Sequence, residues 1–213
     1  MLVPAISRAG LEPAFGKPPI HNFSHREFGA EVQTWAVVQD QRGIMYFANN
    51  AGVLEYDGST WRLIELPSRR EVRSLAVEVR GKGRILVGGR GDFGYLDPDA
   101  TGQLRFRSLR PPEAAHDQRF DLIFSVTAVP NGAYFYTREN GCYWSRDQLQ
   151  CRDLDTRHSR VFGVAGAAYV QQRGHGLMRL SGEAMTLVPG GERFARDEVA
   201  LVLGVARAAE AGT

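Results

Sequence analysis

Lysine is almost missing from this chain: only Lys17 and Lys82 occur, and arginine supplies the rest of the basic charge. The formal net charge is only +2, with bases scattered among acids. No face therefore reads as a track for nucleic acid or an anionic membrane surface. No apolar run approaches the roughly 20 residues that cross a bilayer, so no membrane insertion of this segment is expected. The opening Met1-Leu-Val-Pro-Ala-Ile-Ser-Arg8 is interrupted by Pro4 and Arg8 and shows no signal peptide. Histidines are few and isolated, apart from His21 and His25, which sit four apart in a segment with no helical pattern, so no metal-ligand cluster is expected. No serine, cysteine or histidine occupies a nucleophile elbow, and the carboxylates lie singly on turns, so the expectation is a protein without catalysis, metal or cofactor. Gly89-Arg-Gly-Asp-Phe-Gly94 matches a dinucleotide fingerprint by letters alone. Tyr95-Leu-Asp-Pro98 follows where that motif needs a helix to open, which marks a turn between strands.

What is present is repetition. With 43% hydrophobic residues among 213, the chain can bury an ordinary core. Four short β-type runs, Thr34–Asp40, Gly43–Ala48, Gly52–Asp57 and Thr60–Glu65, are punctuated by Gln-Arg, Asn-Asn and Asp-Gly. The grammar returns as Val72–Glu78, Arg84–Val87, Phe93–Asp97 and Gln103–Arg107. It returns again as Leu122–Thr127, Ala133–Tyr136, Gly141–Ser145 and Leu149–Asp153, and as Val161–Val164, Ala168–Gln171, Gly176–Leu180 and Ala184–Val188. Val199–Leu203 resembles the first strand of a fifth copy. A unit of about 40 to 50 residues carrying four strands is the period of a propeller blade. Glycines at Gly43 and Gly52 are matched by Gly132 and Gly141, as tight turns around a short strand require. The competing architecture is a β-sandwich with the same strand count.

The fold expected is thus all-β: a partial, open propeller of about four four-stranded blades plus one extra strand. Residues 1–31 form a lead-in. Blades run over about 32–69, 70–118, 119–158 and 159–196, a fifth starts at 197–206, and 207–213 is a tail. Closed propellers generally have four to eight blades. Closing this one would need Ile20-His-Asn-Phe-Ser24 to join the sheet begun by Val199. An open arc, as in a piece of a longer protein, is the expectation, with edges that invite self-association or pairing with another propeller-containing chain.

Phe15-Gly-Lys-Pro-Pro-Ile-His-Asn-Phe-Ser24, Trp35-Ala-Val-Val-Gln-Asp40 and Asn49-Asn-Ala-Gly-Val-Leu-Glu-Tyr-Asp-Gly58 together resemble the two-component regulator propeller repeats. The resemblance runs from about Gly16 to Val205. It implies the ligand-sensing, periplasmic or otherwise extracytoplasmic portion of a bacterial hybrid histidine kinase or related regulator.

In a propeller, the turns joining second and third strands converge near the central channel. Here they offer Asn49 and Asn50, Arg90 and Asp92, Arg138, Glu139 and Asn140, and Arg173 and His175. Amide, guanidinium and carboxylate groups grouped on one rim could hold a polar small molecule or glycan. The other reading is that they are ordinary turn residues. Symmetric closure around Arg146-Asp147 places Cys142 opposite Cys151 at a non-hydrogen-bonded site, where a disulfide is geometrically possible; reduced, packed thiols are the alternative. Aromatics such as Trp35, Tyr46, Phe47, Trp61, Phe124 and Trp144 read as core or interblade packing. The function expected is non-catalytic ligand sensing, with a propeller-class lyase or glycosidase, or a structural interaction arc, as alternatives.

Overall fold

The computed structural model describes residues 20–112, 120–137, 140–153, 161–182, 184–196, 199 and 202. They fold into four antiparallel four-stranded sheets, each a meander in which sequence neighbours pair. Blade 1 holds β1 (Thr34–Gln39), β2 (Met45–Asn49), β3 (Gly52–Tyr56) and β4 (Trp61–Ile64). Blade 2 holds β5 (Val72–Val77), β6 (Ile85–Gly89), β7 (Phe93–Pro98) and β8 (Leu104–Ser108). Blade 3 holds β9 (Ser125–Val129), β10 (Gly132–Tyr136), β11 (Asn140–Ser145) and β12 (Gln148–Asp153). Blade 4 holds β13 (Val161–Val164), β14 (Ala167–Gln172), β15 (Gly176–Ser181) and β16 (Ala184–Leu187).

The sheets do not form two facing layers. First strands lie beside first strands, β1 against β5, β5 against β9 and β9 against β13, so the sheets radiate from one line. This is an arc of a β-propeller. Side chains alternate across each sheet and fill the gaps between blades. Tyr46, Ala48, Val53 and Ile64 of blade 1 meet Val72, Leu75, Ile85, Val87 and Leu96 of blade 2. From the other face of blade 2, Leu86 and Phe93 meet Ile123, Val126, Ala133 and Phe135 of blade 3. Tyr134 and Tyr136 then meet Ala168, Val170 and Leu180 of blade 4.

The links between blades are stitched by backbone. Arg90 N–H donates to Glu71 O (2.8 Å) and Gly91 N–H to Asp121 O (2.6 Å), while Ile123 N–H donates to Gly89 O (3.1 Å). Leu122 bridges to Arg90. The first strand of blade 3 consequently begins at Ser125 and not at Leu122, because the backbone of 122–123 is spent on the preceding blade. Gly52 opens β3 with φ +145°, and a Cβ there would lie 2.5 Å from Ile64 O of the neighbouring strand. The Asn-Asn turn can fold back only without a side chain at that point.

Among the described residues the array stays open at its N-terminal end, as expected. Ile20–Ser24 joins no strand: Phe23 packs on Tyr56 and Trp61 at ring-centroid distances of 5.2 Å, and Phe28 and Phe47 also lie against Trp61. The lead-in is thereby laid over the Tyr56 and Trp61 face of blade 1, opposite the face that meets blade 2. Residues 25–28 form one helical turn (α1) that the pattern did not announce, because its cause is local capping. Ser24 N–H donates to Glu27 Oε2 (2.6 Å), and Gly29 closes the turn at φ +64°. At the other end the expected fifth-blade strand, Val199–Leu203, falls mostly outside the described residues, which include only Val199 and Val202 of it. A 3-10 turn at Gly191–Phe194 packs on β15.

Cys142 and Cys151 are paired across β11 and β12, and their sulfurs are bonded. Closing so short a loop is worth about 2–3 kcal/mol through the unfolded chain. Two outcomes are expected. Without reductant no thiol is titratable, and reduction lowers the unfolding free energy by about that amount in a urea series. Phe23→Ala costs about 2 kcal/mol, from lost apolar burial and edge-to-face ring contacts; a change below about 0.5 kcal/mol in the same assay would show that the lead-in does not cover blade 1.

Candidate functional site

The turns between second and third strands do gather beside the interblade links, on one rim of the arc. Their side chains divide sharply. Asn49 is fully buried: its Nδ2 donates to Glu31 O (2.6 Å) and its Oδ1 accepts from Ala51 N–H (2.9 Å), which ties the lead-in to blade 1. Arg90 clamps two links, its Nε donating to Glu71 Oε1 and its Nη1 to Asp121 Oδ2, both at 2.7 Å. Burial pushes the Glu71 carboxyl upward, but the Arg90 hydrogen bond and charge outweigh it and hold the group below the ordinary carboxylate range. Asp92 is buried, and its Oδ1 accepts from Ser108 Oγ (2.6 Å) and Phe93 N–H (2.8 Å). Asn140 is buried in a backbone turn with Thr137. Arg173 and His175 are exposed on the blade 4 turn, and Asn50 is exposed on that of blade 1. Arg138 and Glu139 lie outside the described residues.

A second set of rim residues was not legible from turn chemistry. β1 and β5 each carry a bulge at the same place in the blade. Thr34 pairs with Asn49 and Ala36 with Ala48, so Trp35 is the extra residue; Val72 pairs with Gly89 and Ser74 with Gly88, so Arg73 is. A bulge re-aims its side chain out of the alternating pattern. In blade 3 the matching position is Phe124, just before Ser125, which pairs with Tyr136. Trp35 is 42% and Phe124 41% exposed, so neither is a core aromatic, while Trp35 packs between blades against Arg73. Tyr46 and Trp144 are core as read, while Phe47 and Trp61 lie under the lead-in. The signal available in the sequence was a large side chain at one repeat position, Trp35, Arg73 and Phe124.

These groups are coupled. The Arg73 guanidinium lies over the Trp35 ring, 3.4 Å from its centroid, and Trp35 Nε1 donates to Asn50 Oδ1 (2.8 Å). Arg73 Nη2 stands 3.7 Å from Glu71 Oε1, and its Nε is buried with no hydrogen-bond partner. A flat aromatic–guanidinium stack next to an unpaired donor suits a ligand that has both an apolar ring face and hydrogen-bonding edges. Among the described residues no three histidine, cysteine or acidic side chains are grouped to hold a metal ion, and no helix is long and apolar enough to cross a membrane.

No protein-family model matches the chain, and no curated protein matches it. Solved structures do. A catalytically inactive form of virginiamycin B lyase from Staphylococcus aureus with quinupristin superposes over 77% of this chain and 58% of the lyase, at 11% identity and a TM-score of 0.56. A streptogramin B lyase structure superposes over 76% of this chain and 56% of its own, at 16% identity and a TM-score of 0.51. The fold is a propeller fold. At these identities the likeness is one of architecture alone, and the chain spans little more than half the length of those lyases. The extracellular domain of a putative hybrid two component system from B. thetaiotaomicron aligns over 70% of this chain and 22% of its own, at 16% identity and a TM-score of 0.45.

Asp92 generates a pH prediction. Burial lifts its carboxyl above the ordinary 3.8, against hydrogen bonds from Ser108 and Phe93 and the charge of Arg110. The folded protein thus holds that proton more tightly than the unfolded chain does. The stabilisation is complete below 3.8 and is lost as pH rises through the folded value. Asp92→Asn keeps the accepting oxygen without the charge. Its denaturation midpoint should exceed the parent's at pH 7 and equal it at pH 3; the same difference at both pH values would contradict this.

Proposed function

We propose that this chain is the recognition module of a bacterial two-component-type sensor, non-catalytic, and that it binds a polar, glycan-like ligand on the rim formed by Trp35, Asn50, Arg73 and Phe124, with Arg173 and His175 on the blade 4 turn. The observation that carries the proposal is the pair of bulges placing Trp35 and Arg73 at one repeat position, stacked together with the Arg73 Nε unpartnered. The Arg73 side chain as a whole stays 25% exposed beside the Trp35 ring, so a ligand can approach the stack from solvent. Pyranose rings have an apolar face for an indole and hydroxyls for a guanidinium. The resemblance of the repeats to two-component regulator propellers supports the sensor context. The Cys142–Cys151 disulfide supports an oxidising, extracytoplasmic compartment.

The test is titration with neutral and uronic-acid-bearing oligosaccharides of about two to six sugars, read by tryptophan fluorescence and calorimetry. Trp144 is buried and Trp61 packs under the lead-in, so Trp35 is the reporter. At least one oligosaccharide should quench the signal, and Trp35→Ala and Arg73→Ala should each weaken its binding by about tenfold. Binding indifferent to both substitutions, or absent across the series with folded protein, would remove the rim from consideration. The competing reading is a propeller enzyme, a lyase or glycosidase, for which the exposed imidazole of His175 is the candidate acid–base group on this rim. Turnover that disappears in His175→Ala would replace the sensor reading with that one.

A further inference from the structure

Where blades 3 and 4 meet there is a second, partly open pocket, two blades away from Trp35. On the face of blade 3 that meets blade 4, one register row reads Tyr136, Gly141, Arg152 across β10, β11 and β12. The next row on that face reads Tyr134, Tyr143, Gln150. Glycine in the middle of the first row removes the side chain that would fill the space between a phenol and a guanidinium. The result is a cavity of about 290 Å³, lined by these residues and roofed by Gly182 from the β15–β16 turn of blade 4. That volume lies near the lower end of small-molecule sites.

The polar atoms around it are not equally satisfied. Tyr134 Oη donates to Gly182 O (3.0 Å), which joins the blades, and Tyr143 Oη donates to Asn131 O (3.3 Å). Tyr136 is only 4% exposed, yet its hydroxyl makes no hydrogen bond among the described residues. Burial holds its phenol well above the ordinary range, so it is a hydrogen-bond donor at any physiological pH. Arg152, half-buried on the opposite wall, forms no ion pair with a described residue. The cavity thus offers one cation and one buried neutral donor facing each other over bare backbone, with tyrosine rings on the remaining side. Beneath this floor, on the opposite face of the sheet, the Cys142–Cys151 disulfide ties β11 to β12 and holds Arg152 in register with Gly141.

We infer that this interblade cavity is a binding site for a small ring-bearing carboxylate of monosaccharide size, a uronic acid being the matching chemistry. Arg152 pairs with the carboxylate, the Tyr136 hydroxyl donates to a ring or hydroxyl oxygen, and the tyrosine rings cover the apolar face of the sugar. Reduction of the disulfide weakens binding, because it frees the strand that carries Arg152.

The experiment is titration of the intact, oxidised chain with glucuronate and galacturonate, and with glucose as the neutral control, followed by saturation-transfer NMR and calorimetry. A uronate is expected to bind and glucose to bind at least tenfold more weakly. Tyr136→Phe should weaken the uronate by about tenfold, the loss of one hydrogen bond to a charged ligand, and Arg152→Gln by more. Both substitutions leave the apolar packing intact, and circular dichroism verifies the fold. Trp35→Ala should leave this binding unchanged, which separates the cavity from the rim. A uronic acid disaccharide that binds more tightly than the free acid would identify the chain end of an acidic glycan as the natural source, and one that binds less tightly the free sugar acid. No uronate binding by folded protein, or binding unaltered in both Tyr136→Phe and Arg152→Gln, would overturn the inference.

Discussion

A four-stranded sheet with apolar side chains on both faces holds together only when both faces are covered, and every feature of this protein follows from how that cover is supplied. Between blades it is mutual: Tyr46 and Val53 from one sheet against Val72 and Val87 of the next, and so along the arc. Each apolar side chain removed from water contributes roughly 1.5–3 kcal/mol, so the interblade layers outweigh any contribution from surface ion pairs. Among the described residues the first and last blades each have a face without a neighbouring sheet, and flanking segments of the chain pack against both blades. Phe23 and Phe28 lie over blade 1. On blade 4, Gln171 is buried, donating to Phe194 O and accepting from Val199 N–H, and so fastens the C-terminal segment.

The same demand explains why most polar rim residues serve structure. Where one blade hands over to the next, backbone groups leave regular pairing and must be satisfied inside the fold. Asn49, Glu71, Arg90 and Asp121 supply or brace those bonds. On the rim, the side chains that still reach solvent are those pushed out of the ladder by bulges, Trp35 and Arg73, together with the exposed turn residues Asn50, Arg173 and His175. Rim side chains are thus divided by position: alternating residues pack inside, and displaced residues stand outside the ladder.

Strands, turns and the Cys142–Cys151 pairing were legible because their causes are short in range. Asp-Gly and Asn-Asn turns, β-branched runs and the two-residue Arg146-Asp147 loop act within a few residues, and a repeated grammar makes each instance support the others. Arg146 and Asp147 both take positive φ, 50° and 60°, as such a loop demands, and the register they set runs straight to the two cysteines. The opening turn at His25–Phe28 was missed because one capping box leaves no periodic pattern. Leu122 was read as strand because its β-propensity is high, although its backbone is taken by the preceding blade.

From the sequence alone came the blade, its repetition along the chain and the open character of the array, since strand pairing and turn type are decided by neighbours in the chain. Which side chains are satisfied inside the fold and which stay open was decided only in three dimensions. Arg90 and Asp92 look like site residues until Glu71 and Asp121 from the interblade links and Ser108 from β8 arrive to occupy them. Trp35 looks like core until a bulge turns it outward, and Gly141 looks like a turn glycine until Tyr136 and Arg152 stand on either side of it. Burial and hydrogen-bond satisfaction depend on groups far apart in the chain, and no local pattern encodes them.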